Sequence, residues 1–236
     1  MVKINMMDNH RYSFEELVEI ICILRSPGGC PWDREQTHKS IRNEFIEETY
    51  EAADAIDRDS DVDLCEELGD VLLQILLHSQ MASETGAFDI GDVIDGIARK
   101  MILRHPHVFG DVKADTTEKV LENWDNIKRD EKHQTSFTDT LKSVPMSYPA
   151  LMRAAKVQKR AAKAGVNFES QDKLFSSAKK QLEEFENGSA DALGNLLFTI
   201  IGISRLKKVD CEEVLNKTTD EFINCFEEAE NTGKIK

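Results

Sequence analysis

Residues 37–83 read THKSIRNEFIEETYEAADAIDRDSDVDLCEELGDVLLQILLHSQMAS, and this stretch decides the fold class. Ile41, Phe45, Ala52 and Ala55 in its first part, and Leu64, Leu68, Leu72, Ile75 and Leu76 in its second, recur at three- and four-residue intervals. That spacing puts apolar side chains on one face of a helix, whereas a strand would alternate them every second residue. The abundance of Glu, Ala, Leu and Ile favours the same conformation. The spacing predicts one helix from about Thr37 to Ile56 and another from about Asp63 to Ser83. The acidic hinge Asp57–Asp63 would let them fold back antiparallel.

Working outward, the same periodicity continues in both directions. Ser13 followed by Glu16 is a capping box, and Leu17, Ile20, Ile21 and Leu24 form one face of the helix it opens. Pro27-Gly28-Gly29 should end that helix. Downstream, helices are expected over Ile90–Arg104 and, after the break at Pro106, over Thr117–Lys132. All five prolines, Pro27, Pro31, Pro106, Pro145 and Pro149, fall where helical patterning already stops. The Ser-, Thr- and Pro-bearing stretch Gln134–Tyr148 reads as a linker. Four further helices are expected over Leu151–Lys163, Leu174–Glu186, Leu193–Leu206 and Glu212–Ala229. The fold class is all-α. Leu68-Gly69-Asp70-Val71-Leu72-Leu73 is echoed by Leu193-Gly194-Asn195-Leu196-Leu197-Phe198, which suggests two related helical units in tandem. The expected division is 1–133, a linker 134–149, and a second unit 150–236.

The 236 residues carry 30 Lys and Arg against 44 Asp and Glu, a net charge of −14. A surface so acidic is unsuited to a nucleic-acid backbone, because phosphates are neutralised by clustered cations. An anionic ligand would need a cation as intermediary. No apolar run approaches the roughly 20 residues that span a bilayer; Val71–Leu77 is interrupted by Gln74, so neither nucleic acid nor membrane is an expected partner. Met1–Arg11 lacks the basic start and apolar stretch of a secretory signal, and the expected location is cytoplasmic. The five cysteines form no CxxC pair, and reduced thiols are expected.

Chemistry concentrates in Glu47-Glu48-x-x-Glu51 and Glu67-x-x-Asp70. Residues three apart share a helix face, so Glu48, Glu51, Glu67 and Asp70 could converge from two antiparallel helices. Asp70 leads directly into the apolar run, and like charges driven together there are costly unless a cation compensates them. Carboxylates without paired His or Cys favour Mg²⁺, or Mn²⁺. A solvated acidic face is the alternative reading of such a pattern. A di-iron bundle would need paired Glu-x-x-His motifs, of which only Glu35-x-x-His38 is present.

Gly29-Cys30-Pro31-Trp32-Asp33, the two acidic motifs, and Arg104-His105-Pro106-His107-Val108-Phe109 follow one another in an order that resembles the MazG nucleoside triphosphate pyrophosphohydrolases. The resemblance implies an all-α homodimer that uses Mg²⁺ to hydrolyse a nucleoside triphosphate to the monophosphate and pyrophosphate. It implies that Glu48, Glu51, Glu67 and Asp70 are metal ligands, with Glu47 beside them. It also implies that Lys100, Arg104, Trp124 and Lys128 contact substrate. Where the family often has two Arg before His-Pro, Leu103 occupies the first position here. A cation so held would grip the triphosphate and activate a water for attack at the α-phosphorus. Glu47 is the candidate to accept the water's proton. Lys100, Arg104 and Lys128 would offset charge on the leaving pyrophosphate, and Trp124 would stack on base or sugar.

In the second unit Ala192 and Asn195 replace Glu67 and Asp70, and only Glu184 survives as an acidic counterpart upstream. That unit is expected to serve packing, dimerisation or regulation. The expected role of the whole is removal of unwanted nucleotides. The alternative is a non-catalytic nucleotide-sensing or partner-binding protein.

Overall fold

The computed structural model describes residues 10–131, 136–166 and 170–234. Among them there are twelve helices and no strand. The chain divides at Val120/Leu121 into two compact units.

The first unit opens with α1 (Phe14–Arg25), whose N-terminus is closed by the reciprocal Ser13–Glu16 box. After α1, Gly28 takes a φ of 91° and Gly29 passes so close to the carbonyls of Ile23 and Leu24 that any Cβ would collide with them. This tight reversal leads into a one-turn helix, α2 (Pro31–Glu35), with Pro31 at its first position. The sequence reading lacks α2, because five residues are too few to show a period. Neither Trp32 nor Asp33 caps the following helix; Trp32 is 58% exposed.

The expected pair of long helices is present as α3 (Arg42–Asp57) and α4 (Asp61–Glu84), which pack on each other. Residues 38–41 form a turn rather than the start of α3. The hinge between them is shorter than expected and is a closed helix terminus. Asp59 adopts a φ of 52°, Ser60 N–H donates to the Ala55 carbonyl at 3.0 Å and Asp59 N–H to that of Ile56 at 3.1 Å. This satisfies the last carbonyls of α3. The Ser60 hydroxyl then caps α4 by accepting from Asp63 N–H. Arg58 reaches across the hinge, to Asp54 at 2.7 Å and Asp63 at 2.6 Å.

The core of this unit gathers Ile21, Ile41, Leu76, Leu77 and Met81, flanked by Leu17, Val18, Leu24, Leu72, Leu73 and Ile90. Leu68, expected on the apolar face, is instead exposed. Arg25 ties three elements together: its guanidinium meets Glu84 through two bonds of 2.8 and 2.7 Å and also donates to the backbone carbonyls of Asp33 and Gln36. That hydrogen bonding holds the Glu84 carboxyl below the usual carboxylate range. The helix α5 (Ile90–Arg104) has the expected bounds and an Asp89–Asp92 capping box. It is followed by a four-residue helix, α6 (Pro106–Phe109). His105 closes the end of α5, its Nδ1 donating to the Met101 carbonyl at 2.6 Å.

The division of the chain falls within α7 (Thr117–Glu131). Lys132, the expected end of that helix, and Gln134, the expected start of the linker, lie outside the described residues. The rest of the stretch read as linker contains α8 (Phe137–Lys142), opened by a Ser136–Asp139 capping box. The second unit continues with α9 (Ala150–Lys163), α10 (Gln171–Glu186), α11 (Ala190–Leu206) and α12 (Cys211–Asn231). Its centre is a hairpin of α10 on α11, with α9 packed on α11 and α12 on α9. The Gln158 amide on α9 donates to the Phe198 carbonyl at 2.7 Å. Gly202 leaves room for that amide, whose oxygen would lie 3.3 Å from an added Cβ. No described helix is long and apolar enough to cross a membrane.

Candidate metal and nucleotide site

The hinge geometry sets α3 and α4 running in opposite directions, so Glu48 on one comes opposite Glu67 and Asp70 on the other. One carboxylate oxygen from each of these three residues lies within 4.8 Å of the other two. All three are half-buried. Glu48 is held above the usual carboxylate range, first by burial and then by the charges of Asp70, Glu51 and Glu47. Glu67 is raised in the same way, by burial and then by Glu51, Asp70 and Glu48. The acids therefore resist carrying their charges together, which is the condition a divalent cation relieves. The converging donors are oxygen only, which suits a hard cation and not one that prefers thiolate or imidazole. Among the described residues this is the one group of three metal-ligating side chains that converges.

The other expected site residues are more dispersed. Glu51 is exposed and outside the group of three, although its charge is felt by both Glu48 and Glu67. Glu47 is exposed on α3. Lys100 is exposed on α5, and Arg104, at the end of the same helix, is 8% exposed. Trp124 and Lys128 belong to the second unit, each half-buried on α7.

The seam also contains polar groups that the sequence reading did not assign to the site. Gln74, one turn beyond Asp70, is 6% exposed and its Oε1 has no hydrogen-bond partner among the described residues. On α3, Glu44 lies one turn from Glu48 and has a buried Oε2 that is likewise unpartnered. The signal was present in the sequence: Gln74 interrupts the apolar run Val71–Leu77, a break useful for excluding a membrane span and equally a mark of a polar seam. A second turn along α4, His78 meets His38 at 2.8 Å.

An all-helical unit in which two antiparallel helices converge half-buried carboxylates belongs to the class of helical proteins whose carboxylate cluster could hold a metal ion between the main helices. Similarity to known proteins narrows this class. Residues 36–109 match the family model of the MazG nucleotide pyrophosphohydrolase domain, a span that includes both acidic motifs. Over 222 residues the chain is 40% identical to the nucleoside triphosphate pyrophosphohydrolase/pyrophosphatase MazG of Thermotoga maritima, covering 92% of this chain and 85% of that protein. It is 38% identical over 227 residues to the nucleoside triphosphate pyrophosphohydrolase of Escherichia coli K12, covering 92% of this chain and 86% of that one. A protein of Bacillus subtilis strain 168 called YabN is 43% identical over 232 residues; 94% of this chain corresponds to 47% of that longer relative. The chain belongs to the MazG family of nucleotide pyrophosphohydrolases.

Proposed function

We propose that the protein hydrolyses nucleoside triphosphates, ribo or deoxy, to the monophosphate and pyrophosphate in a Mg²⁺-dependent reaction, with Mn²⁺ able to substitute, and serves as a cytoplasmic housekeeping enzyme of the nucleotide pool. The observation that carries this reading is the convergence of Glu48, Glu67 and Asp70 within 4.8 Å. These three, with Glu51 beside them, would hold the cation, which supplies charge neutralisation on the triphosphate and activation of the attacking water. Water adds to the α-phosphorus, the bond from that phosphorus to the oxygen bridging to the β-phosphate breaks, and Glu47 accepts the water's proton. Pyrophosphate leaves against Lys100, Arg104 and Lys128, whose charges oppose the negative charge gathering on it. Trp124 stacks on the base or sugar.

Catalysis belongs to residues 1–133, the connection to 134–149, and 150–236 has a structural or regulatory role. The substitutions at Ala192 and Asn195 support that division, since neither side chain brings a charge to a cation. The exposed apolar side chains Val93, Ile94, Ile97, Ile102 and Leu103 of α5 support a homodimer, because a second copy would remove them from water.

The test is pyrophosphate release from a panel of ribo- and deoxyribonucleoside triphosphates by the full chain, with and without Mg²⁺. Release that requires the cation and yields the monophosphate is the expected result. Binding without turnover of any nucleotide would overturn the proposal in favour of a sensor.

A further inference from the structure

Two imidazoles that hydrolysis does not use face each other across the open end of the α3–α4 seam. His38, in the turn before α3, and His78, on α4, meet Nδ1 to Nδ1 at 2.8 Å. Their ring planes differ by 2° and their centroids are 5.1 Å apart. That separation equals the N···N distance plus the two ring radii, so the rings lie edge to edge in one plane and not face to face. Such a contact needs one proton and one lone pair between the nitrogens. Burial, and then the nearness of His38, holds His78 below the usual imidazole range, as suits a neutral pair joined by a single proton.

That proton sets the outer nitrogens in opposite roles. The ring that donates from Nδ1 has a bare Nε2, and the ring that accepts at Nδ1 carries Nε2–H. Transfer of the bridging proton, with exchange of the outer one through water, reverses both roles. Neither Nε2 has a partner among the described residues, and His38 is exposed.

Position supplies the ligand. Asp70, Gln74 and His78 follow at four-residue intervals along one face of α4, which sets His78 about 12 Å along the axis from Asp70. With the α-phosphorus at the carboxylates, a nucleoside extends over a distance of that order. The opposite end of the seam suits it less: Arg58 is already paired with Asp54 and Asp63, and the hinge is otherwise acidic. At the histidine end the Phe45 ring lies 5.7 Å from that of His78 and adds apolar surface. We propose that the His38–His78 pair contacts the edge of the substrate's nucleobase, and that its reversible donor and acceptor lets one site accept amino-bearing and keto-bearing bases alike.

This inference rests on the hydrolytic reading above, and the experiment separates the two. In the full chain at saturating Mg²⁺, kcat/KM is measured for ATP against ITP and for CTP against UTP. Wild type is compared with His38→Lys, which offers only donors, His38→Glu, which offers only acceptors, and His38→Gln, which offers both. Wild type should treat each amino and keto partner within about threefold, the order of a fraction of one neutral hydrogen bond. His38→Lys should shift both ratios towards the keto base by about tenfold, His38→Glu towards the amino base by about as much, and His38→Gln should stay near wild type. The Mg²⁺ half-saturation point should not move. A strong wild-type preference overturns the inference, as do ratios that fail to move or that move the same way in both charged variants. A change in Mg²⁺ requirement at unchanged ratios also overturns it, since a merely structural pair would behave so. If wild type cleaves none of the four nucleotides, it is the hydrolytic reading that fails.

Discussion

The two helical hairpins, α3–α4 and α10–α11, share a construction and differ in their chemistry. Each begins with a helix of 16 residues. Each closes it with one residue in the left-handed region, Asp59 at φ 52° or Gly188 at φ 96°. In each a serine follows and donates back into the last turn, Ser60 to the Ala55 carbonyl at 3.0 Å and Ser189 to that of Glu184 at 3.1 Å. Across the first seam stand Glu48, Glu67 and Asp70. In the second, Ala192 is 2% exposed, Asn195 is exposed, and Glu184 pairs with Lys180 at 3.4 Å on its own helix. The hairpin therefore forms without the acids, and burial and mutual repulsion raise the pKa of two of them. A cluster that opposes the stability of its own scaffold is what the proposed cation would account for.

The sharpest way to break this contrast is to remove one acid from the first hairpin. Glu67→Gln should lower nucleotide turnover by on the order of a hundredfold or more, since it would remove a ligand of the proposed cation. The helical circular dichroism should be unchanged. The same acids set a pH dependence. Because the folded state holds Glu48 and Glu67 above their ordinary value of 4.5, the stability they contribute is fully present below that value and declines as pH rises through the raised ones. Melting of the metal-free protein should thus weaken upward from about pH 4.5, and less so in Glu67→Gln or with Mg²⁺ present.

A smaller effect is expected from Ala192→Glu, the change that would make the second seam resemble the first. The side chain it replaces is buried, where a charge would lose its hydration, so stability should fall by about 3 kcal/mol in urea titration, with no gain in turnover. The smallest effect exchanges the hinges. Asp59→Gly should stabilise, and Gly188→Asp destabilise, each by up to about 1 kcal/mol, because glycine alone reaches positive φ without penalty. Equal melting temperatures for both variants would mean that the hinges are not equivalent after all.

The long helices were legible because each carries enough turns to show its period, and α5 has the expected bounds. What escaped the sequence reading is local or relational. The one-turn helices α2 and α6 announce themselves only by a proline at the first position, and α8 only by Ser136 and Asp139, a capping signal set in a polar stretch. Leu68 fits the apolar spacing yet faces outward, because the spacing does not reveal which part of the face its partner covers. The four acids were legible from their pattern, but that only three of them converge depends on how α3 and α4 register. The internal echo has the same limit. Gly69 follows Ser60 by nine residues and Gly194 follows Ser189 by five, so the matched motif sits about one turn nearer its hinge in the second hairpin.

The two arginines at the ends of α4 also bear on the ion it is proposed to hold. Arg58 fastens the beginning of that helix to α3, and Arg25 fastens its last turn to α1 and α2. A rod tied near both ends has less freedom to drift sideways and let crowded anions part. The tension between them has then two releases, a proton or a metal, and at neutral pH the second is the one in ready supply.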